Sequence, residues 1–370
     1  MKILICPIAY IDKNLSPVSR VKQLAQDLLQ EGFEVGIAGN IAYDLREAKF
    51  FKTPAYRIPT ANKVFADINT DNNFEQFLYN YKISTYNELV KQTDFLLRVI
   101  KQYKPDILFS FDSLPCMIAA QIRRLPIYTT YHGILERKKS KKYIKDLNKT
   151  LKHYDLEAVE SMDELYRKSV RLFVQSNYRL DPIKFIEPVD YIGGLRLPDV
   201  QSREEKKTIV VSLNPEIISI RKQKSIMKKC FYDPSYKVVI QANTEDTSNE
   251  NVILTPMPSL DIHLKNACLY IHSGYENQCL DGISYGLPQI IVPDTHCFAR
   301  FNARNMRKNL LAIELDDKRF DVKHIYEAYK KLTDRSKYEQ ARIEFKEEMN
   351  QLDGNQTIIN TIKANLLECK

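Results

Sequence analysis

Short apolar runs alternate with stretches of helical apolar spacing along most of the chain, and strands that alternate with helices build parallel, doubly wound sheets. The opening reads as one βαβ unit. Ile3 to Ile8 is a strand, Pro17 to Leu29 a helix with Val18, Val21, Leu24, Ala25 and Leu28 on one face, and Phe33 to Ala38 the next strand. Ser16 and Pro17 supply N-cap and first-turn signals for that helix, and Gly32 stops it. The rhythm continues with a helix from Tyr86 to Tyr103, a strand from Ile107 to Phe111, a helix from Met117 to Arg124 and a strand from Ile127 to Tyr131. Phe173 to Gln175 and Tyr191 to Ile192 close this first series.

The series then breaks and restarts. Gly193 and Gly194 relax the backbone, and Pro198 to Lys207 is polar and charged, as a linker is. Further strands follow at Thr208 to Leu213, Lys237 to Ala242, Val252 to Leu254, Cys268 to Ile271 and Gln289 to Val292, with helices between them, notably Gln278 to Tyr285 and Asn302 to Lys308. A chain of 370 residues is too long for one ordinary core. The reading is an α/β protein of two Rossmann-like domains, an N-terminal one over 1–199 and a C-terminal one over 206–350. Their parallel sheets are expected to face a central cleft, the usual ligand site of such folds. The last helical stretch, Thr357 to Leu367 within the tail 355–370, is expected to pack back on the first domain.

Composition narrows the class. Hydrophobic residues at 44% and charged residues at 28% exclude collagen-like, disordered and disulfide-scaffold chains. No apolar stretch approaches the roughly 20 residues of a membrane span, and Met1 to Pro7 shows no cleavable signal pattern. The expected location is the cytoplasm, with peripheral attachment to the inner membrane face left open. Seven cysteines without a C-x-x-C pair point to neither a zinc site nor a disulfide framework, and no metal or cofactor is expected. The net charge of +8 is uneven: Arg137, Lys138, Lys139, Lys141, Lys142, Lys145, Lys149 and Lys152 form a dense run. It reads either as a solvated face or as a patch for an anionic or membrane-associated acceptor. Without an aromatic stacking ladder, nucleic acid is the weaker partner.

Glycine is scarce, at ten residues, so its placement carries information. Gly274, Gly282 and Gly286 fall within Ala267 to Pro293, a strand–loop–helix–turn segment. Amides at a helix start attract anions, and a glycine there lets a diphosphate approach the backbone. His272 and Ser273 add side-chain donors, and Asp281 is spaced to accept hydrogen bonds from ribose hydroxyls. Spacing alone leaves two readings open, a nucleoside-diphosphate site and a plain helix start beside a core histidine.

Asn251 to Ser259 (NVILTPMPS), Ala267 to Gly274 (ACLYIHSG) and Tyr285 to Pro293 (YGLPQIIVP), followed by Asn302 and Ala303, resemble the donor-binding half of GT-B glycosyltransferases. The likeness is to glycosyltransferase family 1, with its macrolide and UDP-dependent members. Thr208 to Leu213 (TIVVSL), Ile3 to Gly39 with its E-G-x-E-V turn, and Pro105 to Pro126 extend the resemblance over most of the chain. It implies a GT-B fold and transfer of a sugar from a nucleotide donor, with UDP the expected nucleotide, to an acceptor hydroxyl, inverting and without metal. By position it implies phosphate contacts from Ser212, Asn214, His272, Ser273 and Gly274, and ribose contact from Asp281. Met257, within Pro256 to Ser259, would border the nucleobase.

Three departures accompany the resemblance. The family's G-H-x-x-P, whose histidine is the base, reads Lys13, Asn14, Leu15, Ser16, Pro17 here, and an amide at Asn14 takes no proton at neutral pH. Asp12, Asp112 and His132 are the alternative bases; Asp112 reads equally as a cap for the helix containing Met117. The family's sugar-reading D-Q pair is absent, which leaves Asp294, His296 and Arg300 as pocket candidates. The loop from His272 to Asp281 is one residue longer, so Ser273 competes with His272 for the histidine's place and Asn277 falls on the family's asparagine. The missing base motivates a second reading, a sugar-nucleotide-binding partner without catalysis. A third is an epimerase or hydrolase of the same fold.

Overall fold

The computed structural model describes residues 1–8, 18–40, 45–54, 74–136, 144–194, 207–242, 251–256, 260–295, 297–334 and 336–368. The chain divides into two compact units, Met1–Leu195 with Leu352–Lys370, and Arg196–Gln351. The first unit's strands are β1 (Lys2–Pro7), β2 (Glu34–Gly39), β3 (Lys49–Lys52), β4 (Ile107–Phe111), β5 (Ile127–Thr130), β6 (Arg171–Val174) and β7 (Val189–Tyr191). They pair in parallel in the order β3-β2-β1-β4-β5-β6-β7. The second unit's strands are β8 (Thr208–Ser212), β9 (Lys237–Gln241), β10 (Val252–Thr255), β11 (Ala267–His272), β12 (Gln289–Ile291) and β13 (Ala312–Glu314). Their order is β10-β9-β8-β11-β12-β13, again parallel throughout.

Helices cover both faces of a parallel sheet, so its central strands are apolar along their length. Ile3 to Cys6 in β1 and all of Ile107–Phe111 in β4 are buried. The chain reverses its direction of growth between β1 and β4 in one sheet and between β8 and β11 in the other. Ligands of doubly wound folds bind at such switch points, beyond the carboxyl ends of the strands.

The helix Asn355–Glu368 belongs to the first unit, although it follows the whole of the second in sequence. Ile358, Ile359 and Ile362 are fully buried in the core formed by Val21, Leu24, Phe33, Phe109 and Phe173. Polar contacts fix its register: Asn355 donates to Asp27 at 2.7 Å, Lys363 to Glu31 at 2.5 Å and Asn365 to the Tyr128 hydroxyl at 3.0 Å.

Several elements differ from the sequence expectation. β3 and β13 are absent from it; both are short edge strands, KFFK closed by a lysine at each end and AIE continuing the apolar Leu310 and Leu311 that follow a helix. The helix after β4 begins at Leu114 rather than Met117, because Pro115 occupies its first turn, where a missing N–H costs nothing. The helix expected from Asn302 begins at Cys297. Ser16, Pro17 and most of the expected linker, residues 195–206, lie outside the described residues. No helix among the described residues is long and apolar enough to cross a membrane.

Candidate functional site

The switch point of the second unit is built around His272, the last residue of β11. Its ring is fully buried, against Tyr270 at a centroid distance of 4.5 Å. Nδ1 accepts the Gly274 amide at 3.1 Å, so the neutral ring carries its proton on Nε2, which donates to Gln289 Oε1 at 2.8 Å. This corrects the expectation that His272 offers a side-chain donor to a ligand, since both nitrogens are used inside the protein to shape the loop. Gln289 in turn occupies the space beside Gly282, where an added Cβ would come within 2.2 Å of its amide carbon. Gly274 is left-handed, at φ 84°. A Cβ there would lie 2.9 Å from the Ala299 carbonyl oxygen, and the Asn302 amide holds the Gly274 carbonyl at 3.0 Å.

Burial drives the His272 pKa down from 6.5 to about 4. The unfolded chain therefore takes up a proton as pH falls through 6.5, whereas the folded protein resists until about 4. Stability is expected to fall across that window by about 3 kcal/mol, the loss being complete below the folded value. Urea denaturation followed at both ends of the window reads this directly, and His272→Asn is expected to flatten that part of the acid slope.

The other expected phosphate ligands are knitted into the same loop. Ser273 is buried and its Oγ accepts the Asn214 amide at 2.9 Å. Ser212 donates its hydroxyl to Gln241 and receives Gln278 Nε2 at 2.8 Å, while Gln278 Oε1 accepts the Tyr275 amide at 3.2 Å at the head of the helix Glu276–Ser284. Asn214 Nδ2 donates to Asp294 at 2.8 Å. Asp294 is 1% exposed and also receives the Tyr275 hydroxyl and the Thr295 amide, so it is a brace of this loop rather than an open sugar-reading group. Arg300 donates to the Thr295 carbonyl at 2.7 Å. Asn277 is exposed and Asp281 half-buried on the helix Glu276–Ser284. Met257 and His296 lie outside the described residues. Gln278, Gln289 and Tyr275 escaped the sequence reading because their partners come from other strand ends, which no local spacing reports.

In the first unit the switch point lies between β1 and β4. Asp112 directly follows β4 in a left-handed conformation, φ 54°. Its carboxylate accepts the Thr130 hydroxyl at 3.2 Å and lies 3.1 Å from His132 Nε2. The cap reading is excluded. Ser113 is the N-cap residue of the helix Leu114–Arg123, and its amide bonds Ser110 Oγ at 3.0 Å. His132 Nδ1 lies 3.6 Å from Asp181, a residue without a sequence signal of its own. Asp12 and Asn14 lie outside the described residues.

Solved structures share this architecture over nearly the whole chain. The glycosyltransferase of kitacinnamycin matches with a TM-score of 0.77 at 14% identity, covering 98% of each chain. The calicheamicin glycosyltransferase CalG4 gives 0.76 at 15% identity, over 99% of this chain and 98% of its own. The spinosyn rhamnosyltransferase SpnG, solved with thymidine diphosphate, gives 0.70 at 15% identity, over 98% and 100%. The fold is accordingly that of GT-B glycosyltransferases, α/β with two parallel-sheet domains. No protein-family profile and no curated protein matches the chain in sequence.

Proposed function

We propose that the protein transfers a sugar from a nucleoside-diphosphate donor to an acceptor hydroxyl. The observation that carries this is the junction from β11 to the helix Glu276–Ser284 at the switch point between β8 and β11. There a left-handed Gly274, held on both sides, brings a glycine backbone to the positive end of the helix Glu276–Ser284. Such a junction meets the negative charge of a departing diphosphate with the positive end of a helix dipole, which supports a reaction that is metal-independent. A single in-line displacement, with inversion, is the simplest chemistry for it. Asp281 takes the ribose hydroxyls, and the head of the helix Glu276–Ser284 the phosphates. Thymidine diphosphate in SpnG supports a thymidine or uridine nucleotide. The exposed Lys145, Lys149 and Lys152, which continue the basic run, support an anionic or membrane-associated acceptor.

Calorimetry with UDP and dTDP tests the reading. Binding is expected, with Asp281→Ala weakening it at least about tenfold through loss of charge-assisted bonds to the ribose. No affinity for either nucleotide overturns it. Nucleoside diphosphate released only when an acceptor hydroxyl is present separates a transferase from a hydrolase, and binding without turnover on any acceptor favours a non-catalytic partner.

A further inference from the structure

Three neighbouring strands of the first unit each deliver one proton-active group to their carboxyl ends: Asp112 after β4, His132 after β5 and Asp181 in the connection from β6 to β7. Their geometry is not that of ordinary packing. Asp112 holds a left-handed backbone that non-glycine residues rarely adopt, and its carboxylate serves Thr130 and His132 rather than the following helix. His132 stands between two carboxylates, at 3.1 Å on Nε2 and 3.6 Å on Nδ1. A neutral imidazole has one N–H, and the shorter contact places it on Nε2, toward Asp112. Asp181 is itself fixed: the Gly133 amide donates to its Oδ1 at 2.7 Å and the Tyr191 hydroxyl to its carbonyl at 3.1 Å. A Cβ on Gly133 would come 2.7 Å from that same Oδ1.

The geometry points to Asp112 as the group that takes the proton of the acceptor hydroxyl, with His132 as the donor that orients its carboxylate and Asp181 as the carboxylate beside the ring's other nitrogen. The assignment rests on the glycosyl-transfer reading. The acceptor oxygen bonds the anomeric carbon as the bond from that carbon to the diphosphate oxygen breaks, and the electron pair leaves with the diphosphate. The hydroxyl proton moves to the Asp112 carboxylate, which keeps its bond from His132 Nε2–H. The proton is lost to water before the next turnover. Asp112 is the catalytic residue in this scheme; His132 and Asp181 act through it.

The test compares two acceptors with UDP-glucose and dTDP-glucose as donors at about pH 8.5: benzyl alcohol, which needs a base, and 4-nitrophenol, which is largely ionised at that pH and does not. Asp112→Asn is expected to slow transfer to benzyl alcohol by about 10²–10⁴-fold, the usual worth of a general base, and transfer to 4-nitrophenol by less than about tenfold. His132→Gln and Asp181→Asn are expected to show the same selectivity with smaller losses. Nucleotide affinity by calorimetry is expected to stay unchanged in all three. The nitrophenol rate doubles as the control for folding. Equal losses on both acceptors, or no loss on benzyl alcohol, overturn the assignment alone. A wild-type protein that transfers to neither acceptor overturns the transferase reading, and the assignment with it.

Discussion

Removing residues 352–370 is expected to unfold the Met1–Leu195 unit and leave the Arg196–Gln351 unit folded. Ile358, Ile359 and Ile362 are fully buried in the first unit's core. Burying each such side chain contributes about 1.5–3 kcal/mol, so the three together are worth about 5–9 kcal/mol. That matches the entire net stability of a typical domain, about 5–15 kcal/mol. The truncation also exposes the apolar face of the helix Val18–Gln30, where Val21, Leu24, Ala25 and Leu28 are fully buried, and removes the bonds that Asn355 and Lys363 make to Asp27 and Glu31. Denaturant unfolding followed by circular dichroism is expected to lose the amplitude of one unit and keep that of the other. An Ile358→Ala, Ile359→Ala, Ile362→Ala triple variant of the full-length chain is expected to shift the same transition without removing backbone. A truncated protein that keeps both transitions at their original midpoints contradicts the account.

The second large effect concerns Gly282→Ala. A helical glycine replaced by alanine ordinarily gains stability, because alanine restricts the unfolded chain and favours the helix. Here the new methyl would meet Gln289 at 2.2 Å, and Gln289 is fully buried and bonded to His272. The glutamine amide must move, which leaves the His272 Nε2–H without its acceptor in a dry site. Overpacking and an orphaned donor together are expected to cost about 2–4 kcal/mol, reversing the usual sign. Because His272 Nδ1 also holds the Gly274 amide, nucleotide affinity is expected to fall with stability. A double variant that adds Gln289→Ala relieves the clash while leaving the histidine unsatisfied. Its destabilisation is expected to be at least about 1 kcal/mol less than the sum of the two single changes, the signature of residues in contact. Additive losses, or a Gly282→Ala protein as stable as the wild type, refute the packing argument.

Much of the architecture was readable from local pattern. The helix Tyr86–Tyr103 and the strand Ile107–Phe111 coincide with their expected bounds, because an amphipathic stripe and a continuous apolar run are each set by residues within one element. Where the reading slipped, the missing information was non-local. β6 begins at Arg171, two residues before the expected apolar run, because its guanidinium forms two 2.7 Å bonds with Asp190 on β7. The left-handed turn at Gly274 was foreseeable from its glycine, whereas the one at Asp112 was not, since aspartate carries no comparable backbone signal.

The residues by themselves determine that this chain makes two parallel-sheet units and that three of its ten glycines fall within the strand–loop–helix–turn segment Ala267 to Pro293, because apolar periodicity and backbone freedom are properties of neighbours in sequence. Only the tertiary structure decides that His272 is an internal support for Gly274 rather than a ligand-facing group, and that Asp112, His132 and Asp181 meet. Those partners lie 17 residues apart for His272 and Gln289, 20 for Asp112 and His132, and 66 for Ser212 and Gln278. Sheet order and strand register bring such ends together, and both follow from how the whole apolar surface of each unit is buried, which no single segment records.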